Sequence, residues 1–167
     1  LITARNEDVQ ALNHVVREAL IAEGHLGQES IRFEAIGRGS KMLSSPVELR
    51  AGDRIMFGRR LRLRAAEVFN SDVATVLSVH DDGRDPQLTF ELDRVDDHGR
   101  PIVLSGRVSE LAVKDAKSPG SAIHLQHAYA CTNHAAQGQT VDIAIVANLS
   151  AMGSSDIYVA CTRHRVS

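Results

Sequence analysis

The sequence has no tryptophan, four phenylalanines and two tyrosines. With so few rings, extended stacking of bases on aromatic side chains has little to work with. Cysteine is nearly as sparse. Cys131 and Cys161 form no CxxC pair, which argues against a zinc site or a disulfide scaffold. Both sit among apolar neighbours and read as small buried hydrophobes of a reducing cytoplasm. No apolar run approaches the roughly 18 residues of a membrane span, and no secretory signal pattern opens the chain, so no membrane partner is expected. A strong charge of either sign is also missing: the formal net charge is −2. Indiscriminate binding of polyanions by the whole surface is therefore excluded, while a local basic face stays open.

What is present fits one ordinary domain, or two small interlocked ones, in 167 residues. The chain starts at Leu1, in what reads as the end of a strand, and stops at Ser167 after a helical pattern. It is expected to be a piece of a longer protein. Leu1-Ile2-Thr3-Ala4 leads into NEDVQALNHVVREALIAEG, where Asn6 suits an N-cap and Glu7 and Asp8 favour a helix N-terminus. Val9, Leu12, Val16 and Leu20 recur at helical spacing, and Gly24 is a stop signal. This is a strand–helix unit of the kind that builds parallel sheets.

From about Arg50 to Lys114 the period becomes two. Ile55 and Phe57, Leu61 and Leu63, the set Val73 to Val79, Leu88 to Leu92, and Ile102 with Leu104 alternate with polar residues. Asp82-Gly83 and Asp97-His98-Gly99-Arg100-Pro101 supply turns. Short strands with no helix between them suggest a small antiparallel barrel. After Ser118-Pro119-Gly120, Ile123–Cys131 reads as one strand, Val141–Leu149 as a second buried strand, and DIYVACTRHR as a short helix. The expected fold class is α/β: a partial parallel-sheet domain, residues 1–44 and 116–167, interrupted by a small antiparallel barrel, residues 45–115.

Two superficial signals fail. Gly37-Arg38-Gly39-Ser40-Lys41 lacks the spacing of a phosphate-binding loop and opens no helix, so it reads as a junction. His124, His127 and His134 have neither HExxH spacing nor paired cysteines, so no metal site is expected.

Two signals survive. First, a strand ending at Thr132 and a polar loop with His134, Gln137 and Gly138 put small polar groups at the carboxyl edge of a sheet, where open α/β sheets bind ligands. Arg163 and Arg165 follow on or beside a helix. They either cap their own surface or reach a phosphate held by a neighbouring domain. Second, Arg50, Arg54, Arg59, Arg60, Arg62 and Arg64 crowd into fifteen residues. Alternation puts Arg60, Arg62 and Arg64 on one strand face and Leu61 and Leu63 on the other. The stripe is either a solvated outer face or a contact for DNA phosphates. Phe57 and Phe69 are expected in the core.

These stretches carry a resemblance. Residues 129–142, YACTNHAAQGQTVD, resemble motif V of superfamily 1 DNA helicases of the RecD-like branch, with the nearest echo in the helicase half of conjugative relaxases of the TraA/TrwC type. YVACTRHR, residues 158–165, is similar to motif VI of the same proteins. LITARNEDVQALN resembles their motif IV region, and Gly52-Asp53-Arg54-Ile55 the start of the SH3-like barrel inserted into their second RecA-like domain. The resemblance implies that Arg163 is an arginine finger toward the γ-phosphate of ATP, that Gln137 and Gly138 couple nucleotide to DNA, and that Thr132 and His134 lie near the single-stranded DNA backbone. It implies a nucleotide-sensing role for Arg5 and a place near ATP for Arg165. Ala135, Ala136 and Asn133 depart from the family's usual residues, and Asn70-Ser71 stands where an Asn-Gly turn is common.

The implied function is the C-terminal helicase part of a conjugative relaxase or mobilization protein. It would couple hydrolysis of ATP, with Mg, to translocation on single-stranded DNA. The partners would be that DNA, a first RecA-like domain of the same chain and other conjugation proteins. Lacking a phosphate-binding loop, this stretch alone is expected to bind no nucleotide and hydrolyse none. The alternatives are a non-enzymatic DNA- or protein-binding module on a degenerate helicase fold, and a RecD-like repair helicase.

Overall fold

The computed structural model describes residues 1–3, 5–37, 44–63, 66–114, 120–132 and 145–147. Among them the protein is mixed α/β and mostly strands. In chain order these are β1 (Ile2–Thr3), α1 (Asn6–Ala22), β2 (Ser30–Ile36), β3 (Ser44–Arg50), β4 (Arg54–Phe57), β5 (Leu61–Arg62) and β6 (Glu67–Val68). There follow β7 (Val73–His80), β8 (Gln87–Val95), β9 (Pro101–Arg107), a 3-10 turn (Val108–Leu111), β10 (Ala112–Lys114), β11 (Ser121–Ile123), β12 (Leu125–His127) and β13 (Cys131–Thr132). Two compact units emerge: Leu1–Ala19 with the described residues from Ala128 onward, and Leu20–His127.

In the first unit, β1 lies between two parallel neighbours. Ile2 and Thr3 pair with Cys131 and Thr132 on one side, and Ile2 bridges Val146 on the other. The Cys131 amide donates to the Leu1 carbonyl at 2.9 Å, and the Ile2 and Ala147 amides form 2.8 Å bonds across the opposite pair. Of the expected strand Val141–Leu149, residues 145–147 are described. Ile145 there is exposed rather than buried.

Helix α1 matches the expected span, with Glu7 and Asp8 in its first turn, but starts one residue earlier: Asn6, expected as the N-cap, is its first residue, and the Val9 amide donates to the Arg5 carbonyl at 3.2 Å. Its end is set by Gly24, whose φ of +74° lets the His25 amide reach the Leu20 carbonyl at 2.9 Å and the Gly24 amide reach Ile21 at 3.1 Å. This paired pattern satisfies carbonyls that a helix end otherwise orphans. The buried stripe differs from the apolar one. Val9, Asn13 and Arg17 are buried, four apart, while Leu12, Val16 and Leu20 flank them half-buried.

In the second unit, β12-β4-β7-β8-β9 form one antiparallel sheet in that order. β2–β3, β5–β6 and β10–β11 are separate antiparallel pairs. Among the described residues these ladders do not join into one continuous closed barrel. The alternation expected over 54–107 holds for Ile55, Phe57, Leu88, Phe90, Leu92 and Leu104, which are buried in one core. It fails along β7: of the expected set Val73, Thr75, Leu77 and Val79, Val79 alone is buried, Leu77 is exposed, and Ala74 and Val76 face inward, with a register shift between Val76 and Ser78. The Phe57 and Phe90 rings pack 5.1 Å apart, tilted by 44°, a geometry that favours aromatic pairs. The hairpin β2–β3 was not expected. Its inward residues Ile31 and Ala35, with Val47 and Leu49 opposite, complete the same core.

The single strand expected over Ile123–Cys131 is three pieces with three partners. β11 pairs with β10, β12 with β4, and β13 with β1. Leu125 is drawn into the second unit's core, while Ala130 is held in the first unit by Asn13. The compact unit of residues 20–127 is accordingly wider than the segment 45–115 read as an insertion.

The Gly52-Asp53-Arg54-Ile55 motif has a structural basis. Gly52 has φ +92°, and a Cβ there would meet the His25 carbonyl at 3.1 Å and the Leu26 side chain at 3.0 Å. Buried Asp53 accepts the Arg50 amide at 2.7 Å, closing the turn. Arg54 reaches Thr75 at 2.6 Å and makes a two-pronged pair with Asp93 across β7. Gly83 and Gly99 also take positive φ at the two expected turns. Beside the first turn, Arg107 bonds Asp82 at 2.8 Å and holds its carboxyl below the ordinary carboxylate range.

Candidate nucleic-acid interface

Of the polar edge expected from Thr132 to Gly138, Thr132 is described, and β13, which carries it, pairs in parallel with β1. Thr3 and Thr132 are register partners at the ends of β1 and β13, so both close the same carboxyl edge. Thr3 is fully buried and its hydroxyl donates to Asp8 of α1 at 3.3 Å, which ties the first helical turn to the strand end. Arg5, two residues past Thr3, is exposed. Chain connectivity thus puts Thr132, which is half-buried, and Arg5 at one sheet edge next to a helix N-terminus. A hydroxyl and a guanidinium there favour an anion, while the Glu7 and Asp8 carboxylates of the first helical turn oppose one.

A residue that the sequence reading did not single out fixes this edge. The Asn13 carboxamide accepts the Ala130 amide at 2.8 Å and donates to the Ala130 carbonyl at 3.4 Å. The helix is thereby clamped to the residue just before β13. The signal was an Asn in register with Val9 on a helix face that otherwise reads as apolar. His134, Gln137, Gly138, Arg163 and Arg165 lie outside the described residues, as does Cys161. Cys131 is half-buried in β13.

The arginine stripe divides by role. Arg50 bonds Glu48 of its own strand at 3.0 Å, and Arg54 is committed to Asp93 and Thr75, joining β4 to β7 and β8. Arg60 and Arg62 are exposed while Leu61 and Leu63 are buried, as alternation requires. Arg64 lies outside the described residues. Arg60 bonds Glu67 at 2.5 Å and sits over the Phe69 ring, 5.5 Å from its centroid. Phe57 is in the core as expected; Phe69 is not, being 44% exposed. The turn that follows it projects the ring outward instead of folding it onto β4. Of the histidines weighed as a cluster, His124 is buried and His127 bonds the Glu48 carbonyl at 3.0 Å.

No protein-family model and no curated protein matches the chain. Solved structures do. The chain is similar to Pif1 helicases coordinating in pairs at forked double-stranded DNA, with 21% identity and TM-score 0.62 over 99% of this chain and 36% of that one. It is similar to Bacteroides Pif1 in complex with ADP-AlF3 and single-stranded DNA, with 21% identity and TM-score 0.57 over 99% and 38%. Candida albicans Pif1 helicase matches with 15% identity and TM-score 0.57 over 98% and 42%.

The chain has the fold of part of a Pif1 helicase. It spans well under half the length of these proteins, and at such identities the likeness is one of fold.

Proposed function

We propose that the chain is the second RecA-like domain, with an inserted SH3-like barrel, of a superfamily 1 DNA helicase. In this reading residues 1–44 and 116–167 form the discontinuous RecA-like domain and 45–115 the inserted barrel. The observation that carries it is the fold likeness over 99% of the chain to a helicase holding a nucleotide analogue and single-stranded DNA. The order of motif IV-, V- and VI-like stretches in the sequence supports the same reading independently.

ATP, with Mg, supplies the free energy for movement when bound between two such domains. Arg163 is the proposed arginine finger, stabilising charge that develops on the transferred phosphoryl group. Arg5 and Arg165 flank the nucleotide, and Gln137 and Gly138 relay its state to the strand edge. Thr132 and His134 take the DNA backbone at that edge, and Arg60, Arg62 and Arg64 add phosphate contacts from the barrel. The site of action is the cytoplasm. A conjugative relaxase as the parent is the finer proposal, resting on the YVACTRHR and YACTNHAAQGQTVD stretches; nicking activity in the parent polypeptide tests it.

The helicase reading is tested by measuring ATP hydrolysis with and without single-stranded DNA. The parent polypeptide is expected to hydrolyse ATP faster with DNA, and the 167-residue chain alone to hydrolyse none. Turnover by the chain alone would overturn the division of labour between two domains.

A further inference from the structure

The β5–β6 region carries a feature that phosphate contacts leave unused. Phe69 keeps 44% of its surface exposed, and the turn after it is built to hold it there. The Asp72 carboxylate accepts the Phe69 amide at 2.9 Å, and the Asp72 amide donates to the Phe69 carbonyl at 3.1 Å. Ser71, between them, has φ +74° and is the one non-glycine residue with positive φ among the described residues. Strained backbone of this kind persists where the surroundings over-determine it, and it clusters at ligand sites.

Two guanidiniums lie over the ring. Arg94 is 4.8 Å from the centroid and is pinned by Asp72 at 2.9 Å and the Glu67 carbonyl at 2.5 Å. Arg60 lies 5.5 Å from it, bonds Glu67, and leaves 64% of its side chain exposed. A guanidinium hydrogen-bonds within its own plane, so carboxylate partners leave its flat faces open to stacking. Exposed Arg59 and Arg62 flank the group.

We propose that Phe69, with Arg60 and Arg94, forms a stacking platform for an unpaired base of single-stranded DNA. The inference rests on the reading that the chain binds such DNA, and adds a base contact to the phosphate contacts. Duplex DNA does not fit, because its base faces are already stacked on one another; an unpaired strand offers a π-face at every nucleotide. The ring is held rigid and the guanidiniums are pre-oriented, so little ordering is left to the moment of binding.

The test measures binding of the 167-residue chain to fluorescent oligothymidylate and to an abasic oligomer of equal length. Phe69→Ala is expected to weaken oligothymidylate binding by about 5- to 150-fold, the range for losing one stacked base. The abasic oligomer should bind the variant and the parent chain alike, Phe69→Trp should keep the affinity, and the salt dependence should not change. Equal affinity of Phe69→Ala and the unaltered chain for oligothymidylate would overturn the platform while leaving DNA binding intact. Equal affinity of the unaltered chain for both oligomers would do the same. An unaltered chain that binds oligoglutamate but not oligothymidylate would overturn the platform and the DNA-binding reading together.

Discussion

Among the described residues, the two compact units bury different kinds of residue. In the unit of residues 20–127 the interior is almost wholly apolar, with Asp53 and His124 as the polar exceptions. In the other unit Thr3, Asn13 and Arg17 are buried beside Ile2, Val9 and Ala130. An apolar interior stabilises by area and tolerates small shifts; a polar one stabilises less but fixes geometry, because each group must meet its partner. The unit with the polar interior also carries the strand edge and the motif-like stretches. The difference fits a division between a part that folds robustly and a part that must hold a ligand edge in register.

Three substitutions test that contrast. Phe90→Ala removes a fully buried ring from the apolar core and its contact with Phe57. It should cost about 3–5 kcal/mol in denaturant unfolding; a loss under about 1 kcal/mol would mean that this core is not where stability resides. Asn13→Ala leaves the Ala130 amide and carbonyl without their side-chain partner. The expected cost is about 2 kcal/mol, with faster hydrogen exchange at Ala130 and Cys131 and a weakened strand edge. Unchanged exchange there would remove Asn13 from the account. Ser71→Gly is the smallest and opposite in sign. Glycine accepts a φ of +74° without steric cost, so stability should rise by about 0.5–1 kcal/mol after the unfolded chain's extra entropy is counted. A loss would show that the Ser71 hydroxyl contributes more than the strain costs.

How far the sequence was legible follows the same division. Helix α1, the alternating strands β4, β8 and β9 and both glycine turns were readable because local period and turn chemistry decide them. The inward face of β7 was misread, and the register shift between Val76 and Ser78 is not written in the period. The hairpin β2–β3 was missed although SIRFEAI alternates, since its pattern is short and its charged residues face out. The stretch Ile123–Cys131 was misread as one strand because an apolar run does not reveal which neighbour each piece will pair with. Phe69 was expected in the core on composition alone. Its exposure depends on a four-residue turn with Asp72 as the cap, a tertiary detail that no periodicity encodes. Asn13 was hidden for the same reason: its partner is 117 residues away.

The central claim, that this chain supplies one half of an ATP-driven DNA motor, is tested most directly at Arg163. DNA-stimulated ATP hydrolysis by the parent polypeptide should be measured beside its Arg163→Ala variant, with single-stranded DNA affinity determined for both. The account predicts hydrolysis lost by about a thousandfold or more with DNA affinity retained. Hydrolysis indifferent to Arg163 would contradict it.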